Sequence, residues 1–148
     1  LEGMRLVFEY LPRAYADGGD IEARGHMMVA AAMGATAFQK GLGAMHAMAH
    51  PVGALYGTHH GMTNAVVMPE VLKMNRPVIE DRIAAAAAYL GWERSFDAFF
   101  DRVLRLCEEM KVPERLADLG VGTDRIDTLV AMALEDPSAG GNPVEMTV

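Results

Sequence analysis

The chain has 148 residues, of which 51% are hydrophobic and 22% charged, a composition typical of one globular domain with a sizeable core. A formal net charge of −7, without a cluster of Lys and Arg, argues against a nucleic-acid surface. Cys107 is the only cysteine, which excludes disulfide frameworks and Cys-rich zinc modules and favours a reduced, cytoplasmic setting. No apolar run reaches the ~18 residues of a membrane span.

The apolar periodicity predicts eight helical segments and no strand, and therefore an all-α fold. The first segment runs from Leu1 to Ala16, and its apolar stripe consists of Leu1, Met4, Val7, Phe8, Leu11 and Tyr15. The start LEGMRLVFEY resembles the middle of a helix, so we expect the chain to begin inside a larger protein. Asp20 caps a second helix that reaches about Lys40. Its stretch MMVAAAMGATAF is apolar nearly all round, which predicts burial at the centre of the fold.

Glycine and proline predict where the middle segments end. Gly41-Leu42-Gly43 ends the second helix, and a short helix follows from His46 to Leu55. The next is expected from about His60 to Met74, with Asn75-Arg76-Pro77 as its end. Pro77 is expected to begin another helix, which stops at Gly91.

Hydroxyl side chains predict the starts of the last helices. Ser95 caps a helix that reaches Met110, with an apolar face of Phe96, Phe99, Phe100, Val103, Leu104 and Cys107. A short helical turn follows Pro113, and Thr123 caps the last helix, which extends to about Glu135. The tail DPSAGGNPVEMTV is expected to be a loop.

Four of the five histidines lie between residues 46 and 60, in the segment GLGAMHAMAHPVGALYGTHHG. His46 and His50 are four residues apart, which on a helix puts both imidazoles on one face. His60 follows ten residues later, next to His59. Because imidazole is the commonest neutral metal ligand, the pattern predicts a divalent metal site. The competing interpretation is a set of core histidines bonded to backbone carbonyls.

A histidine site of this kind still needs an anionic ligand, because catalytic sites usually have about three protein ligands and often include a carboxylate. Glu70 and Asp81 are the nearby acids, but neither lies at an obvious ligand spacing. His26 has no partner in the sequence and is interpreted as structural.

The segment from Gly41 to Pro77, GLGAMHAMAHPVGALYGTHHGMTNAVVMPEVLKMNRP, resembles the second signature of the iron-containing (group III) alcohol dehydrogenases. It has the G-x-x-H-x-x-x-H-P-x-G-A core, the H-G-x-x-N-A step and the closing N-R-P. LPRAYADGGDIEAR and VPERLADLGV resemble flanking parts of the family more loosely.

The resemblance implies that residues 1–148 are the helical metal-binding domain of a dehydroquinate synthase-like, iron alcohol dehydrogenase fold, truncated at both ends. By the same resemblance, the family's N-terminal NAD(P)-binding domain is expected to lie outside these residues. Its first signature, with an aspartate and a histidine ligand, is expected just before Leu1. Its terminal helix is expected after Asn142-Pro143.

The resemblance also implies the roles of the histidines. His46 and His60 match the two metal ligands of this segment, and His50 matches a catalytic, substrate-side histidine that does not bind metal. This assignment replaces the pairing of His46 with His50 that the spacing alone indicates. His59 is expected at the surface or behind the ligands.

The implied reaction is hydride transfer from a primary alcohol to NAD(P)⁺, giving an aldehyde, with Fe²⁺ or Zn²⁺ as Lewis acid. Two alternatives stay open: a glycerol dehydrogenase or maleylacetate reductase on the same scaffold, or a non-enzymatic helical metal-binding module. The expected partner is a small-molecule alcohol or aldehyde, with no nucleic acid and no membrane. The sequence does not fix the oligomeric state, a homo-oligomer included.

Overall fold

The computed structural model describes residues 1–148 and consists of helices without any strand. The α-helices are α1 (Glu2–Ala16), α2 (Ile21–Ala37), α3 (Ala44–Tyr56), α4 (His60–Tyr89), α5 (Phe96–Glu109) and α6 (Ile126–Glu135). Short 3₁₀ turns cover Phe38–Lys40, Leu116–Leu119 and Ala139–Gly141. The prediction of an all-α fold is therefore confirmed. None of the helices combines the length and the apolarity that crossing a membrane requires.

The chain divides into two compact units. The first unit comprises Leu1–Lys40 and Asp81–Met110, and the second comprises Gly41–Glu80 and Lys111–Val148. In the first unit, α1 packs against α2 and α5. In the second unit, α3 packs against α6 and against the turn Ala139–Gly141.

The core of the first unit is aromatic. The ring of Phe8 lies edge-on to Trp92 at a centroid distance of 4.8 Å and to Phe99 at 6.1 Å. Ser95 begins α5 as predicted, because its hydroxyl accepts the backbone N–H of Ala98 at 3.0 Å. His26 stacks on Tyr10 with ring centroids 4.0 Å apart, which is a packing contact.

The predicted apolar stripe of α1 is only partly covered: Val7, Phe8 and Leu11 are half-buried, but three of its other members are exposed. Leu6, which the stripe omitted, is buried at 4% exposure, whereas Leu1, Met4 and Tyr15 are exposed. The stripe assumed a single buried face, but α1 packs against two helices, α2 and α5.

The expectation that α2 is buried at the centre is also wrong for this chain. Only Ala23 and Ala30 of this helix are buried, whereas Ile21 and Met28 are 76% and 75% exposed. Its start was predicted correctly, since the Asp20 carboxylate accepts the backbone N–H of Ala23 at 3.0 Å. An apolar surface is buried only where another element covers it, and in the first unit α1 covers one side of α2.

The predicted helix end at Asn75-Arg76-Pro77 does not exist. α4 continues for 30 residues, with Pro69 and Pro77 inside it. A proline in a helix interior costs about 3 kcal/mol, so other contacts must offset it. Asn75, two residues before Pro77, is buried and hydrogen-bonded to the C-terminal segment, which holds the backbone here in place.

Thr123 does not cap the last helix either. Arg125 precedes the first residue of α6, and no side chain caps this end. The Thr123 carbonyl instead accepts the backbone N–H of Ile126 at 3.3 Å, which closes a turn before the helix. Thr123 therefore lies one turn too early for its side chain to reach the free N–H groups of α6.

Candidate metal centre

The start of α3 is held by a residue from the far end of the chain. The side-chain oxygen of Asn142 accepts the backbone N–H of Ala44 at 3.1 Å. Asn142 also pairs with Asn75 through two reciprocal amide hydrogen bonds of 2.7 and 3.0 Å. Gly43 permits this approach, because a Cβ there would lie 2.9 Å from the Asn142 oxygen. The amide pair therefore fixes the helix that carries two of the predicted site residues.

The three predicted site histidines lie together. His46 and His50 are on α3, and His60 is the first residue of α4. The ring centroids of His46 and His60 are 5.3 Å apart, those of His50 and His60 are 5.5 Å apart, and those of His46 and His50 are 5.8 Å apart. We call these three residues the histidine cluster. Gly57 allows the chain to turn between the two helices, with a left-handed φ of 66°.

His59 and His60 are adjacent in the sequence but have different partners. His59 is exposed and lies outside the cluster; its Nδ1 accepts the backbone N–H of Met62 at 3.3 Å, in the first turn of α4. Nε2 of His60 lies 2.9 Å from the side-chain nitrogen of Asn64. The side-chain oxygen of Asn64 is buried and has no hydrogen-bond partner. A buried, unpaired oxygen beside an imidazole is a position where a further polar group would be stabilised.

His50 has a carboxylate partner that the sequence did not reveal. Nδ1 of His50 lies 2.8 Å from Oδ2 of Asp136, the residue directly after α6. The two residues are 86 positions apart, so no sequence spacing connects them. The one local signal is the run Asp136-Pro137-Ser138, in which Asp136 Oδ1 accepts the backbone N–H of Ser138. Neither acid that the sequence offered as a ligand is assigned to this site. Glu70 pairs with Lys73 at 2.8 Å, and Asp81 belongs to the first unit.

Burial and charge affect two groups of the site. Burial lowers the pKa of His46, and the neighbouring His60 and His50 lower it further. Burial alone raises the pKa of Asp136, but hydrogen bonds from Ser138 and His50 outweigh it and hold this pKa below its usual range. These shifts favour an uncharged His46 and an ionised Asp136.

The ring separations in the cluster suit imidazoles that share one metal ion. Two imidazoles bound to one tetrahedral ion, with nitrogen–metal distances near 2.0–2.1 Å, have ring centres roughly 5 Å apart. The structure contains no group of three or more His, Cys, Asp or Glu side chains that could by itself hold a metal ion. The donor set of this chain therefore fits part of a metal site, one that needs further ligands.

The whole chain, residues 1–148, matches the family model that describes the C-terminal part of the Fe-containing alcohol dehydrogenase family. The chain belongs to this family. It is 40% identical to alcohol dehydrogenase 4 of Schizosaccharomyces pombe over 148 residues, covering 97% of this chain and 35% of that protein. It is 36% identical to an NAD-dependent methanol dehydrogenase of Bacillus methanolicus over 156 residues, covering all of this chain and 41% of that protein.

Solved structures agree with the family assignment. The structure of a 1,3-propanediol oxidoreductase superposes on this family member with a TM-score of 0.91 and 32% identity, covering 99% of this chain and 40% of that one. The chain thus spans about 35–41% of the length of the relatives described here. The fold is that of the family's C-terminal helical part.

Proposed function

We propose that residues 1–148 form the helical metal-binding domain of an NAD(P)-dependent alcohol dehydrogenase that oxidises a primary alcohol to an aldehyde. The observation that carries this proposal is the histidine cluster, three imidazoles within 5.8 Å of one another, in a chain that matches the Fe-containing alcohol dehydrogenase family throughout. The names of the relatives support it, because they include alcohol and methanol dehydrogenases.

In this proposal His46 and His60 hold the metal ion, Fe²⁺ or Zn²⁺, together with ligands from outside these residues. Neutral imidazole suits either ion, and the 5.3 Å separation of the two rings is compatible with one shared ion. When bound, such an ion supplies a Lewis acid that polarises an alcohol oxygen. His50 is the catalytic residue of this chain and faces the substrate, where its free ring nitrogen relays the proton of the alcohol.

The dinucleotide is assigned to a part of the protein outside this chain. The relative from Bacillus methanolicus is NAD-dependent by name, but nothing in these residues decides between NAD and NADP. The proposed partner is a small-molecule alcohol or aldehyde. The cytoplasmic location suggested by the single cysteine stays a prediction.

The separate roles of the histidines can be tested in the full-length protein. His46→Ala is expected to remove the metal and abolish turnover, because a ligand is lost. His50→Ala is expected to keep the metal near one ion per subunit and to lower turnover. His26→Ala is the control, because His26 lies in the first unit and stacks on Tyr10. Metal analysis of each purified variant decides between these roles.

Two results would contradict the assignment. Equal loss of metal from His50→Ala and His46→Ala would make the i,i+4 pair the ligand set. Full turnover by the protein without metal would favour a reductase of another kind on the same scaffold, and the absence of both metal and turnover would favour a non-enzymatic module.

The 148-residue chain by itself is expected to bind metal weakly and to oxidise no alcohol. Two neutral ligands do not offset the charge of a divalent cation, and no dinucleotide domain holds the hydride acceptor. Dialysis against a chelator followed by metal analysis tests the first half, and NAD(P)H formation with primary alcohols tests the second. Tightly held stoichiometric metal, or NAD(P)H formation, would overturn the corresponding half.

A further inference from the structure

The carboxylate of Asp136 is bonded at both of its oxygens. Oδ2 lies 2.8 Å from Nδ1 of His50, and Oδ1 accepts the backbone N–H of Ser138 at 2.8 Å. The Asp136 side chain is 11% exposed, whereas the His50 side chain is 42% exposed. The Asp136 carboxylate is thus largely buried and held by a backbone N–H two residues away, and it contacts the more exposed imidazole of His50. This arrangement suits a group that orients the ring.

The position of Asp136 follows from the packing of the second unit. α6 packs against α3, and Asp136 is the residue after the last one of α6. The turn Ala139–Gly141 begins three residues after Asp136 and also contacts α3. The carboxylate is therefore held between two elements that both touch the helix of His50. A rigid support of this kind can set the orientation of a side chain.

We propose that Asp136 is a positioning residue that selects the tautomer of His50. An ionised carboxylate only accepts hydrogen bonds, so a neutral imidazole meets it with the proton on Nδ1. Nε2 then keeps its lone pair, because the contact with Asp136 is made through Nδ1. Nε2 is the atom through which His50 can accept a proton, so its use in turnover rests on the proposed function.

Asp136→Asn tests the tautomer directly, because the orientation of the new amide is fixed: the backbone N–H of Ser138 requires an oxygen acceptor. The oxygen of the new amide stays with Ser138, and its NH₂ group then faces Nδ1 of His50. A donor at this position reverses the hydrogen bond, so the proton of His50 is expected to move to Nε2.

The tautomer can be read directly in the full-length protein, labelled with ¹⁵N at histidine and loaded with Zn²⁺, which is not redox-active. The His50 signals are assigned by their loss in His50→Gln. The Nδ1–H form is expected in the unaltered protein and the Nε2–H form in Asp136→Asn. An Nε2–H form in the unaltered protein, or the same form in both, would overturn the proposal.

Turnover and metal content give the second test. Asp136→Asn is expected to lower kcat by about 10–100-fold while the metal per subunit and the unfolding midpoint stay unchanged. In the His50→Ala background it is expected to cause no further loss, because Asp136 acts through His50. Glu135→Gln, which changes the exposed neighbouring acid, is the control and is expected to behave as the unaltered protein.

Each contrary outcome has a distinct meaning. Metal loss in Asp136→Asn would make Asp136 a ligand, and an equal loss of kcat with and without His50 would make its role purely structural; either overturns the proposal. If the unaltered protein oxidises no alcohol, the proposed function fails, and the ¹⁵N spectra still decide the tautomer.

Discussion

The helices α2 and α3 are both rich in Ala, Met and Gly, yet they are buried to very different extents. α2 buries Ala23 and Ala30 only, over 17 residues, whereas α3 buries five of its 13 residues. The buried residues of α3 are Ala44, Ala47, Ala49, Pro51 and Val52. An apolar composition therefore does not decide burial by itself; the elements that pack against a helix decide it.

The starts of the same two helices differ in a second way. Asp20, the residue directly before α2, caps it with its own side chain. The N–H of Ala44 in α3 is bonded to Asn142, 98 residues further along the chain. The start of α2 is thus stabilised locally, whereas that of α3 depends on the folded second unit. The predictions below test this contrast, from the largest expected effect to the smallest.

Added methyl groups are expected to have opposite effects near the two helices. In Gly141→Ala the new Cβ would lie 2.0 Å from the Leu42 carbonyl oxygen, just before α3, so the backbone must shift. We expect a loss of about 3 kcal/mol or more in the free energy of unfolding. In α2, Gly34 has no atom within 4 Å of an added Cβ, so Gly34→Ala is expected to gain about 0.5–1 kcal/mol.

Urea unfolding of the 148-residue chain measures both effects. Gly140→Ala is the control, because an added Cβ at Gly140 also meets nothing within 4 Å and should change the stability by less than about 0.5 kcal/mol. A Gly141→Ala variant as stable as Gly140→Ala would contradict the close approach of this turn to Leu42.

Removal of the buried amide pair is expected to destabilise the start of α3. Asn75→Ala removes both amide hydrogen bonds to Asn142 and leaves the backbone N–H of Val144 without its acceptor, at a cost of about 2–3 kcal/mol. Asn142→Ala also frees the N–H of Ala44. The double variant should cost less than the sum of the two single variants, because they share the same bonds. Strict additivity in urea unfolding would show that the two amides act independently.

The same substitution in the two helices tests their unequal burial. Val52 of α3 is 2% exposed, and Val52→Ala is expected to cost about 2 kcal/mol. Val29 of α2 is 47% exposed, and Val29→Ala is expected to change the stability of the 148-residue chain by less than about 0.5 kcal/mol. Thermal unfolding of both variants makes the comparison. Equal costs would mean that α2 is covered in solution.

The smallest effect is expected at the local cap of α2. Hydrogen bonding to the backbone N–H of Ala23, and then to Arg13, lowers the pKa of Asp20 against the opposing effect of burial. A lowered pKa stabilises the fold above the ordinary aspartate range near pH 4, and this contribution is lost as the pH falls through the lowered pKa.

Asp20→Ala should therefore lower the unfolding midpoint at pH 7, and the difference should shrink on acidification. Asp20→Asn keeps a capping oxygen and serves as the matched control, with most of the midpoint retained. A midpoint difference between Asp20→Ala and the unaltered chain that stays constant down to acidic pH would contradict the role of the ionised carboxylate.

The sequence by itself determined the features that depend on neighbours along the chain. The all-α class follows from apolar periodicity, and the caps at Asp20 and Ser95 follow from side chains that reach N–H groups three residues away. The signature between Gly41 and Pro77 pointed to the family that the comparisons establish.

The tertiary structure decided what depends on residues far apart in the chain. It carries α4 through Pro77, because Asn75 is bonded to the C-terminal segment, and it leaves most of α2 uncovered. It places Asp136 against His50 and Asn142 against the start of α3. No periodicity or spacing in the sequence predicts either contact, because hydrogen bonds between remote residues form only when the helices pack.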